Sequence, residues 1–190
     1  MHAHRRATFL PSLAIATLLT ACAGGSHPRP IEPVAHVDID RFMGDWYVIA
    51  SIPTPMEREA VNAVESYSRG ADGRIDTVFR YRAGRPDGEL ETMTPTGFVR
   101  EGSGNAVWGM RFVWPVKAEY IIASLAPDYS DTIVARSKRD YVWIMARSPS
   151  LPEARYRELV RQVAAMGYDT GRLRRVPQHW PEAQPRPPLP

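Results

Sequence analysis

Residues 40–47 read Asp-Arg-Phe-Met-Gly-Asp-Trp-Tyr and lead into an apolar run that ends at Ile52. The pattern predicts that Gly44 and Trp46 stand at the beginning of a first strand over 45–52. A barrel needs a plug at one end, and a large flat indole at the start of its first strand can provide it. Trp46 is therefore predicted to close one end of a β-barrel.

Short β-rich runs follow about every ten residues, separated by turn residues such as the Ala-Asp-Gly at 71–73. Strands are predicted at 45–52, 62–69, 74–82, 89–100, 106–112, 119–125, 132–137 and 141–147. Charged and apolar residues alternate over 75–82, so Phe79 and Tyr81 are expected to face inward. The predicted fold class is mainly β, an eight-stranded up-and-down antiparallel barrel whose interior holds side chains or one small ligand.

One C-terminal helix is predicted over 150–166. Ser150 and Glu153 fit a capping box, and Gly167 supplies the C-terminal stop. Apolar residues recur at helical spacing on one face, and arginines lie on the other. We expect the helix to pack on the outer wall of the barrel. A helix that lies on a membrane surface is the alternative.

The N-terminal residues have the features of an export signal. Arg5 and Arg6 precede an apolar run over 7–19 that is too short to span a bilayer. Residues 19–22, Leu-Thr-Ala-Cys, contain the single cysteine and resemble the bacterial lipobox. This resemblance implies cleavage before Cys22, acylation of its thiol and a membrane anchor. A buried thiol beside an ordinary cleavage site is the alternative.

The rest of the chain predicts one domain between two irregular segments. The expected boundaries are a lipoprotein signal peptide at 1–21, a lipidated flexible tether at 22–36, the barrel with its helix at 37–178 and a proline-rich tail at 179–190. The tail is expected to be disordered or to lie on the surface. The formal charge of +3 includes two arginines of the signal peptide, and the other basic residues are spread along the chain. No nucleic-acid partner is therefore expected.

Residues 40–47 resemble the Gly-x-Trp motif of the lipocalin family. A second motif follows at 126–129, where Ala-Pro-Asp-Tyr is similar to the family's usual Thr-Asp-Tyr. Asp128 and Tyr129 match this motif, whereas Pro127 replaces the threonine.

A third lipocalin motif is matched at 143–149, Trp-Ile-Met-Ala-Arg-Ser-Pro. In the family the arginine of this motif, here Arg147, lies across the tryptophan of the first. The resemblance covers about 37–177 and is strongest to the bacterial outer-membrane lipoprotein lipocalins and the apolipoprotein D group. Residues 114–118, Trp-Pro-Val-Lys-Ala, depart from the glycine- and aromatic-rich segment of the bacterial relatives, which leaves the ligand preference open.

The expected pairing of Arg147 with Trp46 also predicts which residues line the interior. Side chains alternate along a strand, so residues in phase with this pair point inward. The predicted lining is Val48, Ala50, Phe79, Tyr81, Tyr120, Ile122, Tyr141, Trp143 and Met145. Lys117 is expected at the barrel mouth, where it could attract an anionic head group. The alternatives are a filled core and a solvated loop lysine.

The resemblance implies a binding protein whose apolar cup holds a fatty acid, a lysophospholipid or a similar amphiphile. Ala23, rather than aspartate, after Cys22 implies the outer membrane and a position facing the periplasm. No cofactor or metal is expected, and homodimer formation is left open. A structural or interaction lipoprotein with a filled barrel is the alternative.

The residue inventory argues against an enzyme. All histidines lie outside the predicted strands and helix, at His2, His4, His27, His36 and His179. Histidine-dependent triads, cysteine nucleophiles and the usual zinc sites therefore lack parts. Asp128 and Asp131 are the remaining carboxylate pair, but such residues after a strand commonly serve turns and solubility.

Overall fold

The computed structural model describes residues 29–181 of the 190-residue chain. The predicted signal peptide at 1–21, the lipidation site at Cys22 and the tail beyond residue 181 lie outside the described residues. Within them, no helix is long and apolar enough to cross a bilayer.

The strands follow one another in a single antiparallel sheet. They are β1 (Gly44–Ile52), β2 (Ala60–Arg69), β3 (Ile75–Ala83), β4 (Leu90–Met93), β5 (Thr96–Val99), β6 (Val107–Val113), β7 (Val116–Leu125), β8 (Asp131–Ala135), β9 (Val142–Ala146) and β10 (Arg174–Arg175). The pairing of β9 with β1 closes the sheet, and β10 adds to β1.

The barrel has eight strand positions because β4 and β5 both pair with β3 and together form one interrupted strand. Pro95 lies in the interruption, and it has no N–H to donate to the ladder. The predicted mainly β, eight-stranded up-and-down barrel is confirmed. The loops at 53–59, 84–89, 114–115 and 136–141 surround one end, called the open end below. The opposite end, where β1 begins, is called the closed end.

Two α-helices flank the barrel, α1 (Ile39–Phe42) at the closed end and α2 (Glu153–Ala165) on the outer wall. The side chain of Asp38 caps α1 by accepting hydrogen bonds from the next backbone amides. Leu159 and Val163 of α2 are fully buried in a cluster with the outer face of the sheet. The apolar face of α2 is thus covered by the barrel, which leaves no such face for a membrane surface.

The capping box predicted for α2 is wrong. The N-cap is Pro152, which has no side-chain hydrogen-bonding group. The carboxylate of Glu153 instead accepts a hydrogen bond from Arg175, beside β1. The first turn of α2 therefore has a solvent-exposed ion pair to β10 where a local cap was predicted.

The segment predicted as a flexible tether, 22–36, is ordered against the barrel in its last part. Ile31 is buried in the outer cluster, and the Val34 amide donates to the Ile122 carbonyl at 2.9 Å. The carbonyl of Arg29 accepts a hydrogen bond from Arg139, in the loop between β8 and β9. Apolar residues at 31 and 34 find partners on the barrel, so the tether prediction is wrong from about residue 31 onward.

A C-terminal segment, 174–179, fills a gap in the barrel wall that we call the seam. The ladder between β1 and β2 runs only from Gly44 to Tyr47 on β1. Beyond Tyr47 the two strands separate, and the side-chain amide of Gln178 donates to the Val48 carbonyl at 2.8 Å. Asn62 on β2 exchanges hydrogen bonds with the backbone of His179. The start of the predicted tail thus lies on the barrel surface.

Candidate functional site

The barrel encloses a cavity with an accessible volume of about 60 Å³, which opens toward solvent. A space of this size holds a few water molecules, so an acyl chain can enter it only if the side chains around it move apart. The wall is mainly apolar and is built by Phe79, Pro95, Met110, Phe112, Ala118 and Trp143. The polar residues that border the cavity are Thr54, Glu57, Glu65, Thr77, Glu119, Tyr120 and Arg136.

The closed end is sealed by aromatic side chains around Trp46. Trp46 is fully buried, its ring lies 4.9 Å from that of Phe42, and its indole N–H donates to the Phe42 carbonyl at 2.8 Å. Trp108 meets Phe42 edge-on with ring centroids 5.4 Å apart. These buried rings block the cavity at this end, whereas loop residues of the open end, Glu57 and Arg136, border it.

Arg147 covers the outer face of this plug. Its guanidinium carbon lies 3.9 Å from the Trp46 ring centroid, and its nitrogens donate to the carbonyls of Asp45 and Arg41. Gly44 has a φ of +93°, and a Cβ there would lie 3.4 Å from an Arg147 nitrogen. The motif glycine therefore permits both the turn and the approach of the arginine.

A chain of hydroxyl and carboxyl groups crosses the deep part of the cavity. The Tyr67 hydroxyl donates to the Glu65 carboxylate and lies 2.7 Å from the Tyr120 hydroxyl. Tyr120 in turn stacks on Trp108 with ring centroids 5.0 Å apart. Burial, assisted by the charge of Glu57, raises the pKa of Glu65 to about 8. Glu65 is therefore mostly protonated at neutral pH and can both donate and accept a hydrogen bond.

A second carboxyl lies toward the open end. Glu57 belongs to a 3-10 helix, Pro55–Glu57, in the loop between β1 and β2. The indole N–H of Trp143 donates to Glu57 at 3.0 Å, and the Tyr81 hydroxyl donates to the Met56 carbonyl at 2.9 Å. Burial raises the pKa of Glu57. These bonds fold the loop over the edge of the cavity.

Most of the predicted lining residues face the interior. The inner apolar cluster contains Val48, Phe79, Tyr81, Tyr120, Ile122 and Met145, with Trp143 packed against it. Of these, Phe79, Tyr120 and Trp143 border the cavity, and the others pack the walls around it.

Ala50 and Tyr141 do not belong to the inner cluster. The pairing of β1 with β9 shifts register between Val48 and Ala50, so Ala50 is buried in the outer cluster under α2. The prediction assumed unbroken alternation, which a bulge reverses. Tyr141 precedes the first residue of β9, and its carbonyl accepts a hydrogen bond from the Tyr168 hydroxyl at 2.9 Å. Alternation therefore does not extend to Tyr141.

Lys117 lies on the outer wall rather than inside the mouth. Its ammonium nitrogen is 3.8 Å from the centroid of the Phe98 ring. β7 begins at Val116, three residues before the predicted start, so Lys117 is a strand residue that alternates with the cavity-lining Ala118. The expectation that Lys117 receives a head group at the mouth is wrong for this reason.

The second motif forms a turn that supports the closed end. Asp128 accepts a hydrogen bond from the Ser130 amide at 3.0 Å, and the Tyr129 hydroxyl accepts one from the Asp38 amide at 2.9 Å. Asp131 is buried and makes a two-point ion pair with Arg155 of α2, with both distances 2.8 Å. The two aspartates thus have separate structural contacts.

Sequence reasoning missed the carboxyl groups of the cavity, Glu57 and Glu65. Glu65 and Tyr67 share one face of β2 because they are two residues apart, and Glu65 lies directly opposite Trp46 in the ladder with β1. The same alternation that predicted an inward Trp46 could have placed Glu65 inside. The assumption that charged residues face outward hid it.

The fold and these motifs agree with comparisons to known proteins. A family model described as a lipocalin-like domain matches residues 37–178. The outer membrane lipoprotein Blc of Escherichia coli strain K12 is 27% identical over 168 residues, which cover 86% of this chain and 94% of the relative. Apolipoprotein D of Rattus norvegicus is 30% identical over 162 residues, covering 77% and 82%.

A solved structure shows the same barrel at low sequence identity. Insecticyanin from the tobacco hornworm Manduca sexta superposes with a TM-score of 0.62 at 15% identity, covering 84% of this chain and 90% of that one. The match establishes the fold, whereas the family model and the sequence relatives establish descent. The chain therefore belongs to the lipocalin family, in the group that includes the bacterial outer membrane lipoproteins and apolipoprotein D.

Proposed function

We propose that this protein binds a single-chain amphiphile, a fatty acid or a lysophospholipid, in the barrel for storage or transport in the cell envelope. The observation that carries the proposal is the cavity, an apolar space sealed at one end by Trp46 and open at the other. An acyl chain that enters this space removes its apolar surface from water, which is favourable by about 0.8 kcal/mol per methylene group.

The cost of burying charge sets the direction in which such a ligand lies. A carboxylate or phosphate placed deep in the cavity beside Glu65 would lose its water, whereas Arg136 borders the cavity from an open-end loop. The acyl chain therefore enters first, and the head group stays at the open end.

Filling the cavity tests this function. Ala118 borders the cavity, so Ala118→Phe is expected to weaken binding of oleic acid or lysophosphatidylethanolamine about tenfold or more by occupying the ligand's space. The change in Trp143 fluorescence on titration measures the affinity, because this indole borders the same cavity. Val78→Phe is the matched control, because Val78 is exposed on β3 and does not border the cavity, and it should leave the affinity unchanged.

The filled-barrel alternative gives a different result. Folded, delipidated protein that binds neither lipid at micromolar concentration would contradict the binding function and favour a structural lipoprotein.

We also propose that the mature protein is anchored by acyl chains on Cys22 in the outer membrane, facing the periplasm. The Leu-Thr-Ala-Cys sequence at 19–22 supports this, and so do relatives named outer membrane lipoproteins. Acyl chains in the bilayer would keep the cup beside its source of amphiphiles.

Cys22→Ser is expected to block processing and membrane retention, because serine has no thiol to acylate. Mass spectrometry of the N-terminal peptide and membrane fractionation measure both. Ser26→Ala is the control in the same segment and should be processed normally. Normal processing and retention of the serine variant would contradict the anchor.

A binding role is better supported than catalysis. Within residues 29–181 there is no group of three or more histidine, cysteine, aspartate or glutamate side chains placed to hold a metal ion. Asp131 is bound to Arg155, and the cavity carboxyls are held by Tyr67 and Trp143. These contacts satisfy the acidic groups structurally.

A further inference from the structure

The exposed apolar side chains are concentrated at the open end. Seven large apolar residues are exposed between residues 29 and 181, and six of them lie on the open-end loops or the strand ends beside them. Four belong to the hairpin between β6 and β7, where Val113 is 74% and Trp114 is 78% exposed. Met56 and Leu90 extend the patch, whereas Val78 lies apart on β3. A patch of this kind on a folded domain marks an interaction surface.

The hairpin arranges apolar and basic residues in the order of a membrane interface. Its tip, 113–116, reads Val-Trp-Pro-Val, and Arg111 and Lys117 flank it on the two strands. Both cations lie on the same outer ring, with the Arg111 guanidinium carbon 4.7 Å and the Lys117 nitrogen 3.8 Å from the centroid of Phe98. The apolar tip suits the acyl-chain layer of a bilayer, and the two cations behind it suit the layer of lipid phosphates.

The position of the N-terminal segment at Arg29 also indicates that the open end faces the membrane. The carbonyl of Arg29 is hydrogen-bonded by Arg139, which lies in an open-end loop, 136–141. Arg29 lies seven positions after Cys22 in the chain, and an extended chain of that length spans at most about 25 Å. An anchor on Cys22 would therefore hold the open end, rather than the closed end, near the bilayer.

We propose that the open end docks on a lipid bilayer, with the tip at 113–116 among the acyl chains and with Arg111 and Lys117 at the phosphates. The anchor part of the argument rests on the proposed function, while the patch and the hairpin stand without it. Phe112 is half exposed and also borders the cavity, so it joins the docking surface to the cup. An amphiphile can then pass from the bilayer into the barrel without crossing water.

Tryptophan depth in the membrane tests the proposal directly. The protein purified from membranes is reconstituted into vesicles of phosphatidylethanolamine and phosphatidylglycerol that carry brominated acyl chains. We expect the bromines to quench Trp114 and the bilayer to shield it from acrylamide, both read as the difference between wild type and Trp114→Ser. The double variant Trp114→Ser, Val78→Trp is the matched control, because its indole lies on the side of the barrel and should stay accessible to acrylamide.

Ligand transfer separates docking from binding. Trp114→Ser is expected to slow uptake of lysophospholipid from vesicles roughly tenfold, because an exposed indole no longer enters the bilayer. Its affinity for the same lipid in solution should be unchanged, since Trp114 does not border the cavity. If the wild-type protein does not bind the lipid in solution, the proposed function is contradicted rather than the docking surface.

Two outcomes would overturn the docking surface. Trp114 that stays open to acrylamide in the vesicles would show that the hairpin faces water. If Trp114 is shielded from acrylamide but is not quenched by bromine, the hairpin is covered by a second copy of the chain rather than by lipid.

Discussion

Trp46→Ala is expected to lower the free energy of unfolding by about 3–5 kcal/mol, the range for removal of a large buried aromatic side chain. Trp46 is fully buried, packs on Phe42 at 4.9 Å and donates its indole N–H to the Phe42 carbonyl. Alanine leaves a cavity at the closed end and removes the ring that Arg147 covers. Urea unfolding monitored by circular dichroism measures the loss.

The contact between Trp46 and Arg147 predicts that their effects are not additive. Arg147→Ala should cost less than Trp46→Ala, since the cation and ring contribute about 0.5–2 kcal/mol. The double variant should lose less than the two single losses combined, because the second substitution removes a contact already broken. Trp180→Ala, on the outer surface, is the control and should add independently to either change. Full additivity of Trp46 and Arg147 would show that the stacking does not stabilise the fold.

Glu65→Gln is expected to remove most of a pH dependence of stability between about pH 4.5 and pH 8. Burial and the charge of Glu57 raise the pKa of Glu65 from 4.5 to about 8 in the folded protein. Below pH 4.5 the carboxyl is protonated in both states and the full stability is present. As pH rises toward 8, the carboxyl ionises in the unfolded chain before it ionises in the folded protein. This ionisation lowers the free energy of the unfolded state, so the stability of the folded protein falls by on the order of 3–5 kcal/mol.

Unfolding curves at several pH values test this expectation. Wild type should lose stability across the window, and Glu65→Gln should lose little of it, apart from the smaller effect of Glu57, whose pKa is also raised. Glu101→Gln changes the same atoms in an exposed loop and should keep the wild-type slope. Equal slopes in wild type and Glu65→Gln would mean that the carboxyl is hydrated in the cavity.

The barrel was predictable from the sequence because its signals are local. Alternation over β3 and the Gly-x-Trp stretch each depend on neighbouring residues, and they correctly indicate an inward Phe79 and a Trp46 that closes one end. The bulge that turns Ala50 outward depends on how β1 meets β9, about a hundred residues later in the chain. No local pattern records such a register shift.

The hydrogen-bond partners of the buried carboxyl were not predictable for a related reason. A buried carboxyl is costly unless other groups satisfy it, and Glu65 is satisfied by Tyr67 beside the Tyr120 hydroxyl of β7. Tyr120 lies 53 residues after Tyr67 in the chain. Only the closed barrel brings these hydroxyls together, so alternation along β2 can place Glu65 inside but cannot show which groups satisfy it.

The seam imposes an order on the assembly of the barrel. The wall above Tyr47 is completed by residues 174–179, and the bond from Gln178 to the Val48 carbonyl joins positions 130 residues apart. Such distant contacts form late and slowly, because a long loop must close before they contribute. During synthesis the barrel wall therefore stays incomplete until nearly the whole chain has left the ribosome. A chain that is still open in this way can pass through a secretion pore, as the export proposed from residues 1–22 requires.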